Sequence, residues 1–575
     1  MKTLMLGNEA VARGLYEAGC RFVSSYPGTP STEITEEAAK YEEIYAEWAP
    51  NEKVAMESAF GASFAGYRSF CGMKHVGMNV AADPLFTIAY TGVRGGMLIA
   101  VADDAGMHSS QNEQDSRHYA VSAKLPMLEP SDAGEAKEFT KLGYELSERF
   151  DTPVILKMCT RIAHAQSIVE IGERTEKAPV PYEKEISKYV MMPAMAKARH
   201  PLVEQRMQAL QAWAETTEIN RAETGEDHSM GFITSSTCYT YVKEVFADRY
   251  PVLKLGMINP MPVEKIRDFA AGVSKLIVVE ELDSVIEDHC RCIGLDVVGK
   301  ELFGYIGEFS QNYIAEKLGV AVPQGEKPED VIPMRPPVMC AGCPHRGLFY
   351  TLKKNHLTVL GDIGCYTLGA AAPLAAIDST ICMGASVSGL HGFNKVSGNR
   401  EAGKTVAVIG DSTFMHSGIT GLVNIAYNES ASTVIILDNS ITGMTGHQQN
   451  PTTGKNLKGD PCTKIDLEAL CRAIGIRRVR VVDPYRLAEC DAAVKEELAA
   501  QEPSVIISRR PCALLKYVRH PGPIGCDADR CIGCRACMQI GCPAISIENG
   551  KARIDATLCT GCGVCTQLCH KNALG

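Results

Sequence analysis

The sequence lacks three features that would place it in a special class of protein. No apolar run approaches the roughly 20 residues that span a membrane, and the apolar stretch near Met1 is too short for a secretory signal. Long blocks of like charge are also absent, since the net charge of −10 is spread along the chain. These absences predict a cytoplasmic protein and argue against nucleic acid or a membrane as a partner.

What remains is the composition of an ordinary globular protein, with 45% hydrophobic and 22% charged residues. A chain of 575 residues has room for several domains, each with its own core. Cysteine is the exception, because nine of the 23 cysteines follow residue 520. In a reducing compartment such a cluster predicts metal or iron–sulfur ligation rather than disulfides.

Short apolar strands alternate with helical segments over most of the chain, which predicts α/β domains with parallel sheets. Residues 1–190 form the first domain, in which Asp132–Phe150 predicts an amphipathic helix with a capping Asp. Residues 191–333 form the second domain, residues 334–515 the third, and residues 516–575 a small cysteine-rich tail. A linker before the third domain is indicated by five prolines: Pro323, Pro328, Pro333, Pro336 and Pro337.

Two apolar runs in the third domain each end in a polar side chain. Thr405–Ile409 precedes Gly410 and Asp411, and Thr433–Leu437 precedes Asn439. If these runs are neighbouring parallel strands, both side chains reach one point beyond the strand ends. An acid and an amide suit a hard cation such as Mg²⁺, which can bridge the protein to a diphosphate.

The spacing from Gly410-Asp-Ser to Asn439 resembles that of thiamine diphosphate enzymes. The resemblance implies that Asp411, Asn439 and the backbone carbonyl of Ile441 hold Mg²⁺. The candidate diphosphate contacts are Gly410, Ser412, Gly443, Met444 and Thr445. The alternative is an ordinary α/β unit with an Asp at the tip of one strand.

Thiamine diphosphate enzymes also need a glutamate against the aminopyrimidine ring, where it promotes loss of the thiazolium proton. The stretch Pro50–Ala62 places a Glu before small residues along one helix face, which resembles the activating-glutamate helix of these enzymes. Glu52 is therefore the candidate activator. Glu57 lies farther along the same helix, and we expect it to be structural.

The tail contains two runs of four cysteines, of which the first is Cys531-x2-Cys534-x2-Cys537-x4-Cys542 and the second Cys559-x2-Cys562-x2-Cys565-x3-Cys569. This is the bacterial two-cluster ferredoxin pattern, in which each run gives its last thiolate to the other cluster's site. The first 4Fe-4S cluster would be held by Cys531, Cys534, Cys537 and Cys569. The second would be held by Cys542, Cys559, Cys562 and Cys565. Between the runs, Ile545–Ile554 predicts a hairpin with an Asn-Gly turn.

Two details of the tail depart from the ferredoxin pattern. The first run has one extra residue before Cys542, and His570 stands where a proline is usual. A zinc ribbon is the alternative, although zinc sites rarely need eight thiolates in this triple spacing. Cys526 precedes the first run, and we expect it to pack rather than to act as a ligand.

Together these motifs resemble those of the 2-oxoacid:ferredoxin oxidoreductases, and among them the large (alpha) subunits of indolepyruvate ferredoxin oxidoreductases. The resemblance covers essentially the whole chain. It implies three doubly wound parallel-sheet α/β domains of the thiamine diphosphate-binding fold, namely a pyrimidine, a transketolase-C-like and a diphosphate domain. An α+β two-cluster ferredoxin domain would follow.

The resemblance also implies roles for residues outside the motifs described above. Tyr26-Pro-Gly-Thr-Pro-Ser31 resembles a loop whose threonine contacts the substrate, which assigns that contact to Thr29. Arg117 stands where relatives place an arginine that binds the substrate carboxylate, with a solvated surface arginine as the alternative. A third 4Fe-4S cluster would be held by Cys340, Cys343, Cys365 and Cys512, for which buried cysteines without a cluster are the alternative.

The implied activity is the oxidative decarboxylation of arylpyruvates such as indolepyruvate, with coenzyme A as acyl acceptor and external ferredoxin as electron acceptor. A separate smaller beta subunit is expected, in an assembly of two alpha and two beta chains. The alternatives are activity on another 2-oxoacid, a non-redox thiamine diphosphate decarboxylase or carboligase, and an electron-transfer subunit with an inactive thiamine site. The second alternative leaves the cysteine tail unexplained.

One motif is rejected on its context. Gly398–Thr405 matches the P-loop pattern, but a P-loop follows a strand and opens a helix. Here the apolar run begins at Thr405, after the motif. We therefore expect a chance match.

Overall fold

The computed structural model describes residues 1–322, 331, 333 and 336–575. The chain divides into two compact units, Met1–Pro328 and Glu329–Gly575. Pro323 and Pro328 of the expected linker lie outside the described residues, so the linker stays a prediction. Over the described ranges, none of the helices combines the length and the apolar character that a membrane crossing requires.

The first unit alternates strands and helices along most of its length. Its strands are β1 (Lys2–Leu6), β2 (Phe22–Ser25), β3 (Tyr45–Trp48), β4 (Ser69–Lys74), β5 (Met97–Asp103), β6 (Met127–Leu128), β7 (Val154–Cys159), β8 (Gln166–Glu170), β9 (Arg221–Glu223), β10 (Gly231–Thr234), β11 (Val252–Lys254), β12 (Met257–Asn259) and β13 (Leu276–Val279). Its helices are α1 (Gly7–Glu17), α2 (Thr32–Ala38), α3 (Glu52–Phe64), α4 (His75–Val80), α5 (Ala82–Thr91), α6 (Arg117–Ala123), α7 (Ala133–Phe150), α8 (Thr160–His164), α9 (Ile186–Tyr189), α10 (Pro193–Thr216), α11 (Ser236–Phe246), α12 (Val263–Ala271), α13 (Val285–Cys292), α14 (Lys300–Phe303) and α15 (Gln311–Lys317).

A seven-stranded sheet in the order β12-β6-β7-β5-β4-β2-β3 forms the centre of the first unit, and its strands are parallel except for β12. Every residue of β4, β5 and β7 is buried, as expected of strands covered on both faces. The predicted helix over Asp132–Phe150 is confirmed as α7. Asp132 caps this helix, because its side chain accepts a hydrogen bond from the backbone N–H of Glu135. The sequence placed β12 with the second domain, but it pairs antiparallel with β6 at the edge of this first sheet.

A second sheet of the same unit has the order β13-β10-β11-β9 and is parallel except for β9. β10, β11 and β13 lie within residues 191–333, where the sequence predicts an α/β domain with a parallel sheet. β1 and β8 pair antiparallel in a separate ribbon.

The second unit contains one six-stranded sheet and the tail hairpin. Its strands are β14 (Thr358–Gly361), β15 (Ser379–Thr380), β16 (Thr405–Gly410), β17 (Thr433–Asp438), β18 (Arg478–Val482), β19 (Ser504–Arg509), β20 (Ile545–Glu548) and β21 (Lys551–Ile554). Its helices are α16 (His345–Lys354), α17 (Ala385–Val396), α18 (Asp411–Thr413), α19 (Ile419–Tyr427), α20 (Leu467–Ala473) and α21 (Leu487–Ala499), with 3-10 turns at Cys365–Ala370, Ala536–Ile540 and Cys565–Leu568 and a π-helical turn at Phe414–Gly418.

The six-stranded sheet is parallel throughout, in the order β15-β14-β16-β17-β19-β18. β16 and β17 are direct neighbours, with Gly410 opposite Leu437, as the two apolar runs predicted. β16 begins at Thr405, after the P-loop-like stretch, so the rejection of that motif is confirmed.

The tail hairpin is confirmed as well. β20 and β21 pair antiparallel with Glu548 opposite Lys551. Asn549 (φ 49°) and Gly550 (φ 75°) both have positive φ, which is the backbone of the tight Asn-Gly turn that the sequence predicted.

Candidate active site

The loops after β16 and β17 lie against each other in the second unit. Asp411 follows β16 directly, and Asn439 follows β17. The hydroxyl of Thr442 donates a 2.9 Å hydrogen bond to that of Ser412, which joins the two loops. Gly410 is required by close packing, since a Cβ there would lie 2.6 Å from the ring of Tyr366.

Asp411 is a buried carboxylate whose hydrogen-bond partners among the described residues are neutral. Burial raises the pKa of Asp411 to about 7, and the neighbouring Asp438 adds to this rise, while hydrogen bonds from Thr452 and Asn450 oppose it. A divalent cation would supply the positive charge that this buried group lacks. The donor set therefore fits Mg²⁺.

The residues after Asn439 form a short loop beside the cation candidates. Ile441 is buried, and its backbone N–H lies 3.3 Å from Oδ1 of Asn439. Met444 is half exposed, and the hydroxyl of Thr445 donates to Gln448 at 2.6 Å. Gly443 lies next to Cys365, because a Cβ at Gly443 would be 3.3 Å from its Sγ.

The sequence analysis missed two residues of this site, Asn450 and Thr452. The Thr452 hydroxyl donates to Oδ2 of Asp411 at 2.9 Å, and its backbone N–H donates to Oδ1 of Asn450 at 2.8 Å. The polar run Asn450-Pro-Thr-Thr453 was the available signal. It pointed to no partner because the contact depends on how the loop folds back.

The four cysteines proposed for a third cluster come from separate segments but lie in one neighbourhood. Burial, with further contributions from Cys340 and Cys512, raises the pKa of Cys343 to about 12. Burial, Cys512 and Cys340 together raise the pKa of Cys365 to about 11. Cys512 also donates its backbone N–H to the carbonyl of Asn439 at 2.9 Å, which places the set beside the loop after β17.

The first predicted set of tail cysteines lines one cavity, and its members are Cys531, Cys534, Cys537 and Cys569. Backbone N–H groups point at two of these sulfurs: Ala552 donates to Cys531 at 3.4 Å and Ala573 to Cys569 at 3.2 Å. The Ala552 N–H lowers the pKa of the Cys531 thiol, which favours the thiolate that a metal cluster requires. Cys526 lies beside Cys531 but is not among the residues that line this cavity.

The second predicted set lines another cavity and consists of Cys542, Cys559, Cys562 and Cys565. Gly342 lines the same cavity, and a Cβ at Gly342 would lie 2.3 Å from the hydroxyl of Thr560. The turn between Cys340 and Cys343 therefore contacts the second cysteine set. Four thiols around each cavity are the donor set that an iron–sulfur cluster requires.

The pyrimidine candidate lies in the first unit. α3 begins at Glu52, whose side chain is 5% exposed, and Asn51 caps the helix by accepting from the backbone N–H of Val54 at 2.9 Å. A Cβ at Gly77 would lie 2.6 Å from Oε1 of Glu52, so the carboxylate packs against a position without a side chain. Glu57 is exposed and pairs with Lys53 at 3.0 Å, which is the structural role expected of it.

Thr29 lies in the loop after β2, where it is partly exposed. Arg117 does not fit the role that the resemblance implied for it. Its guanidinium donates to Asp115 at 2.5 Å and to Glu280 at 2.5 Å, and two backbone carbonyls (Glu281 and Asp283) accept at 2.9 and 3.0 Å.

Because these acceptors occupy its guanidinium, Arg117 is not free to bind a substrate carboxylate. It is also not the solvated surface arginine of the alternative, since only 2% of its surface is exposed. Its ion pairs with Asp115 and Glu280 instead join the loop after β5 to the end of β13. The substrate-binding assignment of Arg117 is therefore corrected to a structural one.

Two family descriptions match this chain. Residues 362–508 match "Thiamine pyrophosphate enzyme, C-terminal TPP binding domain". Residues 13–228 match "Pyruvate flavodoxin/ferredoxin oxidoreductase, thiamine diP-bdg". The first range contains Asp411, Asn439 and Thr452, and the second contains Glu52.

Curated relatives match over the full length. The indolepyruvate oxidoreductase subunit IorA of Archaeoglobus fulgidus is 40% identical over 610 aligned positions, which cover 100% of this chain and 97% of the relative. The subunits of the same name from Pyrococcus horikoshii and Methanothermobacter thermautotrophicus are 39% and 38% identical, covering 99% and 100% of this chain and 96% and 97% of those relatives. The chain therefore belongs to the IorA family of indolepyruvate oxidoreductase subunits, within the thiamine diphosphate-dependent oxidoreductases.

Proposed function

We propose that this chain is the catalytic large subunit of an indolepyruvate:ferredoxin oxidoreductase. Its substrates would be arylpyruvates, and its products an acyl-CoA, carbon dioxide and reduced ferredoxin. The full-length similarity to subunits named for indolepyruvate supports the substrate class.

The diphosphate half of the site would be held by the second unit. Asp411, Asn439 and the carbonyl of Ile441 would bind Mg²⁺, while Gly410, Ser412 and the loop Gly443–Thr445 would surround the diphosphate. Thr452 orients the Asp411 carboxylate through its hydroxyl. Bound thiamine diphosphate supplies a nucleophilic carbon for the keto group and an electron sink for decarboxylation.

The pyrimidine half would be held by the first unit. Glu52 would contact the aminopyrimidine ring and exchange a proton with a ring nitrogen, because its carboxylate is buried at the start of α3. Thr29, in the loop after β2, would contact the substrate.

The observation that carries the redox part of the proposal is that two sets of four cysteines each line a cavity of their own. Bound 4Fe-4S clusters carry electrons one at a time. Cys340, Cys343, Cys365 and Cys512 would hold a third cluster beside the diphosphate loop. The contact of Gly342 with the second cavity supports a route from this set into the tail. The tail would thus form the two-cluster ferredoxin domain that reduces external ferredoxin.

The proposal includes a smaller beta subunit, an assembly of two alpha and two beta chains, and a cytoplasmic location. A non-redox decarboxylase would leave both cysteine-lined cavities without a role. Ferredoxin reduction by the anaerobically purified chain plus its small subunit, with a panel of 2-oxoacids and coenzyme A, tests the proposal directly. Faster turnover of pyruvate than of every arylpyruvate would reject the substrate class, and absence of 4Fe-4S signals in electron paramagnetic resonance would reject the redox reaction.

A further inference from the structure

A buried ammonium group lies next to the Thr29 loop. Lys74 ends β4 and is 8% exposed, and its Nζ donates to the Ser109 carbonyl at 2.8 Å. Within the part of the chain that the structure describes, this is its one hydrogen bond, although an ammonium group has three N–H donors. The buried ammonium group of Lys74 therefore has N–H donors that are not used in hydrogen bonds among the described residues.

The charge of Lys74 is also incompletely balanced. Burial lowers the pKa of Lys74, and the neighbouring Asp104 offsets this only in part. Asp104 already accepts from the Ser109 N–H at 2.9 Å and from the hydroxyls of Ser110 and Thr160 at 2.6 and 2.7 Å. A buried cation of this kind favours an incoming anion.

Lys74 stands between two predicted parts of the catalytic site. On one side, a Cβ at Gly28 would lie 3.1 Å from Cβ of Lys74, so the Thr29 loop contacts the base of the side chain. On the other side, α4 follows directly, and its Gly77 packs against the Glu52 carboxylate. His75 is 1% exposed, and its Nδ1 makes no hydrogen bond among the described residues, which is a second unused polar group in the same turn.

We infer that Lys74 binds the carboxylate of the 2-oxoacid substrate. This inference rests on the proposed function, and it assigns to Lys74 the contact that the ion pairs of Arg117 exclude for that residue. The ammonium group would donate its free N–H groups to the carboxylate, while Thr29 contacts the substrate from the adjacent loop.

The test compares a charged with a neutral inhibitor. The inhibition constants of 3-phenyllactate and of its uncharged amide are measured against arylpyruvate oxidation. We expect Lys74→Met to weaken the acid roughly 10- to 100-fold, as for loss of a hydrogen bond between charged groups, and to leave the amide unchanged. Lys74→Arg should retain most of the preference for the acid.

Three controls make the result specific. Lys40→Met removes an exposed lysine that pairs with Glu37, and it should change neither constant. Unchanged KM for coenzyme A and unchanged activation by thiamine diphosphate in Lys74→Met would separate a carboxylate site from a phosphate site. Thermal unfolding checks that Lys74→Met is folded.

An undiminished preference for the acid in Lys74→Met would overturn the inference, as would equal weakening of acid and amide. If the wild-type protein oxidises no 2-oxoacid, the proposed function fails instead. The same two ligands are then compared by equilibrium calorimetry, which still decides whether Lys74 selects a carboxylate.

A separate observation in the second unit concerns Arg346. This residue is 4% exposed, and its guanidinium donates only to backbone carbonyls among the described residues. Cys340 and Ile540 accept at 3.1 and 3.2 Å, and the carbonyls of Met339 and Gly541 accept as well. No carboxylate within the described ranges pairs with this buried cation.

Arg346 contacts chain segments that carry cysteines of two different sets. Its guanidinium donates to the carbonyl of Cys340 at 3.1 Å and to the carbonyl of Gly541, which directly precedes Cys542. Cys340 and Cys343 belong to the third set, and Cys542 and Cys562 to the second. Arg346 thus lies between the two.

The geometry points to Arg346 as a positioning residue that raises the reduction potentials of the clusters in both sets. A reduced cluster carries one more negative charge than the oxidised one, so a fixed cation close to both stabilises both reduced forms. This inference too rests on the proposed clusters.

Redox titration followed by electron paramagnetic resonance tests it. Arg346→Met should shift the midpoint potentials of the clusters in the Cys340 and Cys542 sets to more negative values and change that of the Cys531 set least. Arg346→Lys keeps the charge and should shift both less. Arg472→Met, at an exposed pair with Glu468 on α20, should shift none.

Iron content separates the possible failures. Unchanged potentials in an Arg346→Met protein that contains the wild-type amount of iron would overturn the role of Arg346. A wild-type protein with iron for fewer than three clusters would instead reject the proposed cofactor set. If Arg346→Met does not fold, Arg346→Gln provides the neutral variant.

Discussion

The hydroxyl of Thr452 donates a 2.9 Å hydrogen bond to Oδ2 of Asp411, although 41 residues separate them in the chain. The loop after β17 therefore folds back over the end of β16 and fixes the carboxylate that we assign to Mg²⁺. The contact explains how a carboxylate with 2% exposure can be held in one orientation.

Thr452→Val should weaken Mg²⁺ binding, because groups that orient a metal ligand typically contribute roughly 10- to 100-fold in affinity. The Mg²⁺ concentration for half-maximal activity, measured after treatment of the protein with a chelator, should rise by that factor. Thr420→Val, at an exposed hydroxyl on α19, is the matched control and should leave it unchanged. Equal Mg²⁺ requirements in the two variants would contradict the assignment.

Glu52→Gln should lower the rate of ferredoxin reduction by roughly 10²- to 10⁴-fold, the range for loss of a general acid–base group. Binding of thiamine diphosphate, measured by calorimetry, should remain. Glu57→Gln removes an exposed carboxylate five positions along the same helix and should keep nearly the full rate. Undiminished turnover by Glu52→Gln would show that another group activates the cofactor.

Cys562→Ser should remove one cluster, which corresponds to about four iron atoms per chain, because Cys562 lines the second cysteine cavity. Iron analysis and electron paramagnetic resonance of the anaerobically purified protein measure the loss. Cys292→Ser changes an exposed cysteine of the first unit and should retain all iron. Zinc in place of iron in the wild-type protein would favour the zinc-ribbon alternative.

Arg117→Ala should destabilise the protein rather than impair substrate binding. The change leaves the buried carboxylates of Asp115 and Glu280 without their cation, and breaking a buried pair in this way costs about 3–5 kcal/mol in the free energy of unfolding. Denaturant unfolding measures this cost, and KM for the 2-oxoacid should stay near the wild-type value. A raised KM without loss of stability would restore the substrate-binding role.

Glu17 should contribute stability that disappears in acid. Burial raises the pKa of Glu17, but the Gly172 N–H, Arg13 and Lys137 outweigh it and lower the pKa below the ordinary 4.5. A depressed pKa in the folded state stabilises the protein above the unfolded pKa, and this contribution is lost as the pH falls.

The gap in thermal midpoint between wild type and Glu17→Gln should therefore stay nearly constant from neutrality down to the ordinary pKa of 4.5 and narrow as the pH falls below it. Glu138→Gln, at a carboxylate with 56% side-chain exposure, is the comparison and should show a small, nearly constant gap. A difference in thermal midpoint between wild type and Glu17→Gln that widens in acid would contradict a lowered pKa of Glu17 in the folded protein.

The sequence predicted contacts between residues that are close in the chain, and contacts that follow from the order of parallel strands. The hairpin turn at Asn549-Gly550 and the cap of α7 at Asp132 depend on neighbouring backbone, so local chemistry specified them. The adjacency of β16 and β17 follows from the short connection between parallel strands.

The environment of buried charges was not predictable. Arg117 has the side-chain chemistry of a carboxylate-binding residue, but Glu280, 163 positions later, occupies its guanidinium. Lys74 and Arg346 carried no motif, and only burial with too few charged partners makes them notable. The pairing of the edge strand β12 with β6 was not predicted, because β6 precedes it by more than 120 residues.

The sequence by itself determined the α/β class and the order of the motifs, and it predicted the cation and thiolate donors, because these depend on hydrophobic period and on covalent spacing within short segments. The tertiary structure alone decided which charged groups are satisfied and which remain available. That distinction depends on burial, which strengthens electrostatic interactions and is set by segments hundreds of residues apart. Arg117 thus became a structural residue, and Lys74 the candidate for the substrate carboxylate.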